Sequence, residues 1–102
     1  MNKNELQKYI IERIPIVKEM DFIIKKIEDN QVIVSGEHKK HTNHTNSVFG
    51  GSISSILTLA GWSRVKILLE NIDPSAVILV KTSNINFIKP VIKDYIAITD
   101  PL

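Results

Sequence analysis

Apolar residues recur along this chain with two different periods, and the changes of period mark its elements. Leu6, Tyr9, Ile10, Ile11 and Ile14 fall at the spacing of one helix face, which predicts a short amphipathic helix over residues 5–14. Pro15 lacks the amide that would continue it and is expected to stop it. Residues 21–27 carry Phe22, Ile23, Ile24 and Ile27, and residues 31–36 carry Val32, Ile33 and Val34. The intervening Glu28-Asp29-Asn30 suits a turn, because asparagine tolerates a left-handed backbone, so the two β runs predict a hairpin. Residues 37–48 are polar without periodicity and read as a loop.

At Phe49 the pattern changes sharply. Ile53, Ile56, Leu57, Ala60, Val65 and Leu68 form a broad stripe over residues 49–71, which Leu59, Ile67 and Leu69 widen. A helix apolar on most sides is expected to be buried. Gly61 at its middle costs about 1 kcal/mol relative to alanine, and close approach of another backbone is the expected compensation. Asp73-Pro74 ends the helix; residues 76–88 then read as a long strand with a polar centre, Lys81-Thr82-Ser83-Asn84, ended by Pro90. Residues 95–99 begin another strand. The connections are too short for crossover helices, so the sheet is expected to be antiparallel. The predicted class is α+β: a curved antiparallel sheet wrapped around a long central helix, which is the hotdog fold. A ferredoxin-like fold needs two crossover helices, and here the first helix precedes every strand.

The length of 102 residues suits a single domain over 1–102. Hydrophobic residues make up 43% and charged residues 24%, which permits a core and argues against disorder. The net charge of +2 supplies no basic stripe for nucleic acid. The absence of cysteine excludes disulfides and thiol chemistry and fits a cytoplasmic protein. The polar start has no apolar signal core, and Trp62-Ser63-Arg64 and Lys66 interrupt the longest apolar stretch, so neither a leader nor a membrane span is expected.

The chemistry concentrates in Asn43-His44-Thr45-Asn46-Ser47-Val48-Phe49-Gly50-Gly51-Ser52. Two glycines at a helix start leave backbone amides approachable at the positive end of the helix dipole. Such amides hold an anion or a developing oxyanion, which is what a thioester carbonyl becomes under attack by water. Asn43, just upstream, can orient a water or a carbonyl, and Asn46 can hold a left-handed turn.

Asn43-x-x-Asn46-x-x-Phe49-Gly50-Gly51 resembles the Asn-x-x-Gly-x-x-His-Gly-Gly signature of hotdog acyl-CoA thioesterases. Phe49-Gly50-Gly51-Ser52, then Leu59-Ala60-Gly61-Trp62, and the run Asn84-Ile85-Asn86-Phe87-Ile88-Lys89-Pro90-Val91 are more similar to the thioesterase domain at the C-terminus of YiiD-type acetyltransferase proteins. The resemblance covers Ile14 to Thr99. It implies a homodimer that holds acyl-CoA near the subunit interface, with CoA present only as part of the substrate and neither metal nor other cofactor. It makes the Gly51 amide the oxyanion donor and Asn43 a polar group beside the scissile bond. Asn46, Phe49, Gly50, Ser52 and Asn84 become candidate substrate contacts.

The chain departs from that pattern. A phenylacetyl-CoA type of hotdog thioesterase carries an aspartate where this helix has Thr58, and no Asp or Glu lies between Phe49 and Leu69. Thr58 is the catalytic candidate left at that position, able to position a water but a poor nucleophile without a base. Hotdog domains usually continue for one or two strands beyond the position of Thr99, so the stop at Leu102 reads as C-terminal truncation, with an open sheet edge. The readings are an acyl-CoA thioesterase, a non-catalytic acyl-CoA-binding or regulatory domain, and a self-associating remnant. Simpler roles stand beside them: Ser54 and Ser55 as small packing residues, Trp62 as packing, and His38, His41 and His44 with Lys39 and Lys40 as a solvated loop. Lys81 and Asn84 either border a dimer seam or line an acyl pocket.

Overall fold

The computed structural model describes residues 1–100. In chain order it contains α1 (Lys3–Arg13), α2 (Pro15–Met20), β1 (Ile23–Glu28), β2 (Gln31–Gly36), a 3-10 turn at His38–Lys40, α3 (Gly50–Glu70) and β3 (Tyr95–Ile98). The class is α+β, as the order of apolar runs predicts. α1 starts before its first apolar residue because Asn2 and Glu5 cap it reciprocally. The Glu5 amide donates to Asn2 Oδ1 at 2.8 Å, and the Asn2 amide to Glu5 Oε1 at 3.2 Å. Pro15 stops α1, which ends at Arg13, as expected. It also opens α2 at a first-turn position, where a missing amide is no loss.

The sheet has the order β1-β2-β3 and is antiparallel throughout. Asp29 (φ 50°) and Asn30 (φ 62°) are both left-handed, which gives the two-residue turn whose twist matches a hairpin. The β1–β2 register slips between Ile24 and Lys26, so Lys25 forms a bulge. That slip changes the parity of the strand: Phe22 and Ile24 are buried, Ile27 packs on the same core, and Lys25 and Lys26 both stay outside. On the outer edge of β1, the Gln7 side chain replaces a neighbouring strand. Its Nε2 donates to the Phe22 carbonyl at 2.9 Å, and its Oε1 accepts from the Ile24 amide at 2.6 Å. Gly36 lies opposite Tyr95 in the β2–β3 pair, and a Cβ there would sit 2.6 Å from Tyr95 Cζ, so the ring requires glycine.

α3 packs on β2 and β3 and shares with them a core of Val32, Val34, Ile56, Leu59, Ala60, Ile67 and Ala97; Leu6, Ile10, Val17, Phe22 and Ile24 complete it. Ser63 and Arg64 are buried on the same helix, and Ser63 Oγ and Arg64 Nε and Nη1 have no partner among the described residues.

Three expectations fail on the other flank of α3. Leu57, Thr58 and Gly61 are exposed, so this chain alone covers the helix on one side rather than most sides. A Cβ on Gly61 would meet nothing within 4 Å, so no backbone approaches it. The predicted strand over 76–88 is not one: among the described residues, no amide from 77 to 90 makes a backbone hydrogen bond. A strand needs a neighbour's carbonyls and amides within reach, and this segment pairs with neither edge of the sheet. The segment instead runs antiparallel along α3. The Trp62 indole N–H donates to the Ile78 carbonyl at 3.1 Å near one end, and the Phe87 ring lies beside Gly50 near the other. Val77, Leu79 and Ile88 are 82%, 84% and 91% exposed.

Two outcomes follow for stability. Gly61→Ala is expected to stabilise the monomeric chain by about 1 kcal/mol, seen as a higher urea midpoint at unchanged m-value. The Tyr95 hydroxyl is buried without a partner among the described residues, and burial pushes its pKa up from 10.0 to about 12. The folded state therefore keeps this proton after the unfolded chain has lost it. Stability is fully present below the unfolded value and falls as pH rises from about 10 to about 12. Urea unfolding across that range should show the slope in the wild type and a shallower one in Tyr95→Phe.

Candidate functional site

The loop before α3 is organised by side chains. Thr42 and Val48 form an isolated antiparallel bridge, and the Phe49 amide donates to the His41 carbonyl at 2.7 Å. Asn43 Oδ1 accepts from the Thr45 amide (2.9 Å), Thr45 Oγ1 (2.9 Å), the Ser47 amide (3.1 Å) and Ser47 Oγ (3.2 Å). Its oxygen is thus committed to the loop, and its NH2 group is what remains for a ligand. Asn46 is left-handed, with φ 61°.

The start of α3 has no side-chain cap, and the Gly50 and Gly51 amides have no acceptor among the described residues. The two glycines differ. A Cβ on Gly51 would collide with the Phe49 ring, its Cδ2 lying 3.0 Å and its Cζ 3.1 Å away. A Cβ on Gly50 would make only ordinary contact with Phe87 at 3.6 Å. A Cβ at Gly51 would therefore require the exposed Phe49 ring to swing aside, and both residues leave donors at the positive end of the helix.

Beneath this turn lies a residue that the loop reading misplaces. His41 is buried, not solvated. Its Nε2 sits 2.7 Å from the Met20 carbonyl, and its Nδ1 sits 2.7 Å from Ser52 Oγ. A carbonyl only accepts, so Nε2 carries the proton; in the neutral ring Nδ1 accepts from the Ser52 hydroxyl. Phe22 stacks on the ring at 5.1 Å, and Tyr95 meets it edge-on at 6.1 Å. The contact joins the end of α2, the loop and the first turn of α3. No spacing rule pairs His41 with Ser52. The signal available was that Ser52 sits one turn into a helix without a cap.

The other basic side chains of the loop point elsewhere. His38 Nε2 lies 2.7 Å from the Asn46 carbonyl, and Lys40 pairs with Asp21 at 3.0 Å. Among the described residues, no group of His, Asp or Glu is placed to hold a metal ion. Further along α3, Thr58 is exposed and shares a cleft of about 340 Å³ with Asn84. Those two candidates are brought together, whereas Asn43 and Asn46 sit in the loop preceding the helix.

The sequence matches, over residues 3–101, the family described as "Putative thioesterase (yiiD_Cterm)". The chain belongs to this YiiD C-terminal family. Its structure is similar to the crystal structure of a "putative thioesterase" from Shewanella oneidensis, with TM-score 0.84 and 25% identity over 90% of this chain and 68% of that one. It is also similar to a protein of unknown function from Chlorobaculum tepidum, with TM-score 0.88 and 22% identity over 94% of this chain and 59% of that one. The YiiD C-terminal domain is thus a hotdog domain of the thioesterase kind, and this chain spans less than the full length of both solved relatives. Among the described residues, no helix is long and apolar enough to cross a membrane.

His41→Phe preserves the ring stack but leaves the Met20 carbonyl and the Ser52 hydroxyl without their partner. It is expected to destabilise the domain by about 2–4 kcal/mol in urea unfolding, against about 1–2 kcal/mol for Ser52→Ala.

Proposed function

We propose that this YiiD C-terminal domain hydrolyses an acyl-CoA thioester. The observation that carries the reading is the pair of uncommitted amides at Gly50 and Gly51, at the start of a helix whose first turn is held by His41 and Ser52. The thioester oxygen is received by the Gly51 amide, and as water adds to the carbonyl carbon the developing charge meets the helix dipole. The Asn43 NH2 orients that carbonyl or the attacking water. Phe49 and Gly50 flank the acyl group, and the Thr58 hydroxyl and Asn84 contact the substrate further along α3. CoA enters as part of the substrate.

The active species in this reading is a homodimer, because α3 and the unpaired segment 77–88 leave large apolar side chains uncovered in a single copy. A second reading rests on a specific observation: α3 carries no carboxylate before Glu70, so a base must come from elsewhere or turnover does not occur. The domain then binds acyl-CoA without hydrolysing it.

Acyl-CoA esters of graded chain length, assayed with a thiol reagent, are expected to release CoA. Asn43→Asp keeps the loop acceptors and removes the NH2, and should lower kcat by about a hundredfold with little change in Tm. Binding without thiol release at every chain length would favour the second reading, and no binding at all would sink both.

A further inference from the structure

An apolar groove of about 280 Å³ runs between α2 and α3, separate from the Thr58–Asn84 cleft. α2 contributes Ile16, Val17 and Met20, α3 contributes Leu59 and Trp62, and Phe22 lies among them. No charged side chain lines it. Of its hydroxyl groups, Ser55 donates to the Gly51 carbonyl at 2.8 Å, Ser54 lies toward the start of the helix, and Thr58 stands midway, bordering the Asn84 cleft as well. Trp62 closes the far end and is fixed there: its indole N–H holds the Ile78 carbonyl, and Tyr9 stacks on it at 6.3 Å.

Position along the helix links this groove to the Gly51 amide. Ser54 and Ser55 lie within about one turn, roughly 5 Å, of Gly51, and Trp62 lies about 16 Å along the axis. Neither Gly50 nor Gly51 lines the groove, so an elongated ligand with its carbonyl at the first turn reaches it across the step from Gly51 to Ser54 and Ser55. A ligand with a charged or strongly hydrated tail would lose its solvation there without gaining a partner.

We infer that this groove is the acyl-chain channel of the domain and that it selects longer apolar acyl groups over acetyl. The inference rests on the thioester reading for the placement of the carbonyl, but the groove is testable without it. Trp62 is the only tryptophan of the chain, so its emission reports occupancy of the groove directly.

The first experiment titrates the protein with sodium decanoate and follows Trp62 emission. A saturable shift is expected in the wild type. It should be abolished by Ser54→Phe, which fills the mouth, and by Ile16→Asp, which places a charge at an exposed lip and has little reason to disturb folding. The second compares affinities for CoA, acetyl-CoA and decanoyl-CoA. Decanoyl-CoA should bind at least about tenfold tighter than acetyl-CoA, since burying about two methylene groups already supplies that factor. Both variants should reduce decanoyl-CoA to the acetyl-CoA level and leave acetyl-CoA binding unchanged.

No decanoate response in the wild type, or a decanoyl preference that survives both variants, overturns the inference. A decanoate response without any binding of CoA esters supports the groove and removes the thioester reading. Thiol release with equal affinity for acetyl and decanoyl esters does the reverse.

Discussion

Burial of α3 is the constraint on which the rest of the domain depends. A helix of this length and apolarity cannot stand in water, and a narrow sheet can cover only one of its sides. The inward stripe through Ile56, Leu59, Ala60 and Ile67 meets Val32, Val34 and Ala97. The bulge at Lys25 lets β1 add Phe22, Ile24 and Ile27 to one surface. The opposite flank is left to a segment that lies along the helix without pairing. The position of every candidate site residue follows from this asymmetry: the glycine amides at one end of α3, the apolar groove on one side of Thr58 and Trp62, and the polar cleft on the other.

Much of this was legible in the residues. The helix stripe, the hairpin and the final strand follow from periodicity, and Phe49-Gly50-Gly51-Ser52 with Leu59-Ala60-Gly61-Trp62 pointed to the family. What could not be read has physical causes. Pro15 stops α1 as its missing amide predicts, but the same proline also starts α2, which the spacing of apolar residues does not announce. The run 76–88 has strand chemistry, but strand formation is a property of two segments, and this run lies along α3 instead of beside an edge of the sheet. Gly61 looked like a contact glycine because packing and emptiness leave the same residue behind.

The site shows the same division. Asn43 and the glycines were identified by spacing, because local backbone chemistry is local in sequence. His41 was assigned to solvent because its partners, Met20 and Ser52, come from different elements and meet it only in the fold. Its three-residue spacing from His38 and His44 suggested a common role, yet His38 turns to the Asn46 carbonyl and His41 turns inward. A histidine wedged under the first turn of α3 ties that turn to the end of α2, and so a buried side chain sets where the glycine amides stand.

The Gln7 carboxamide on the outer edge of β1 has a consequence for how such a domain meets its neighbours. By taking the Phe22 carbonyl and the Ile24 amide, it occupies the first rungs that an incoming strand would need. One border of the sheet is therefore blunted by a single side chain from α1, whereas β3 at the other border has no strand beyond it among the described residues. A molecule with one sealed and one open border has a direction built into its adhesiveness: contact through the open border terminates in a closed pair, where two open borders would propagate into a ribbon.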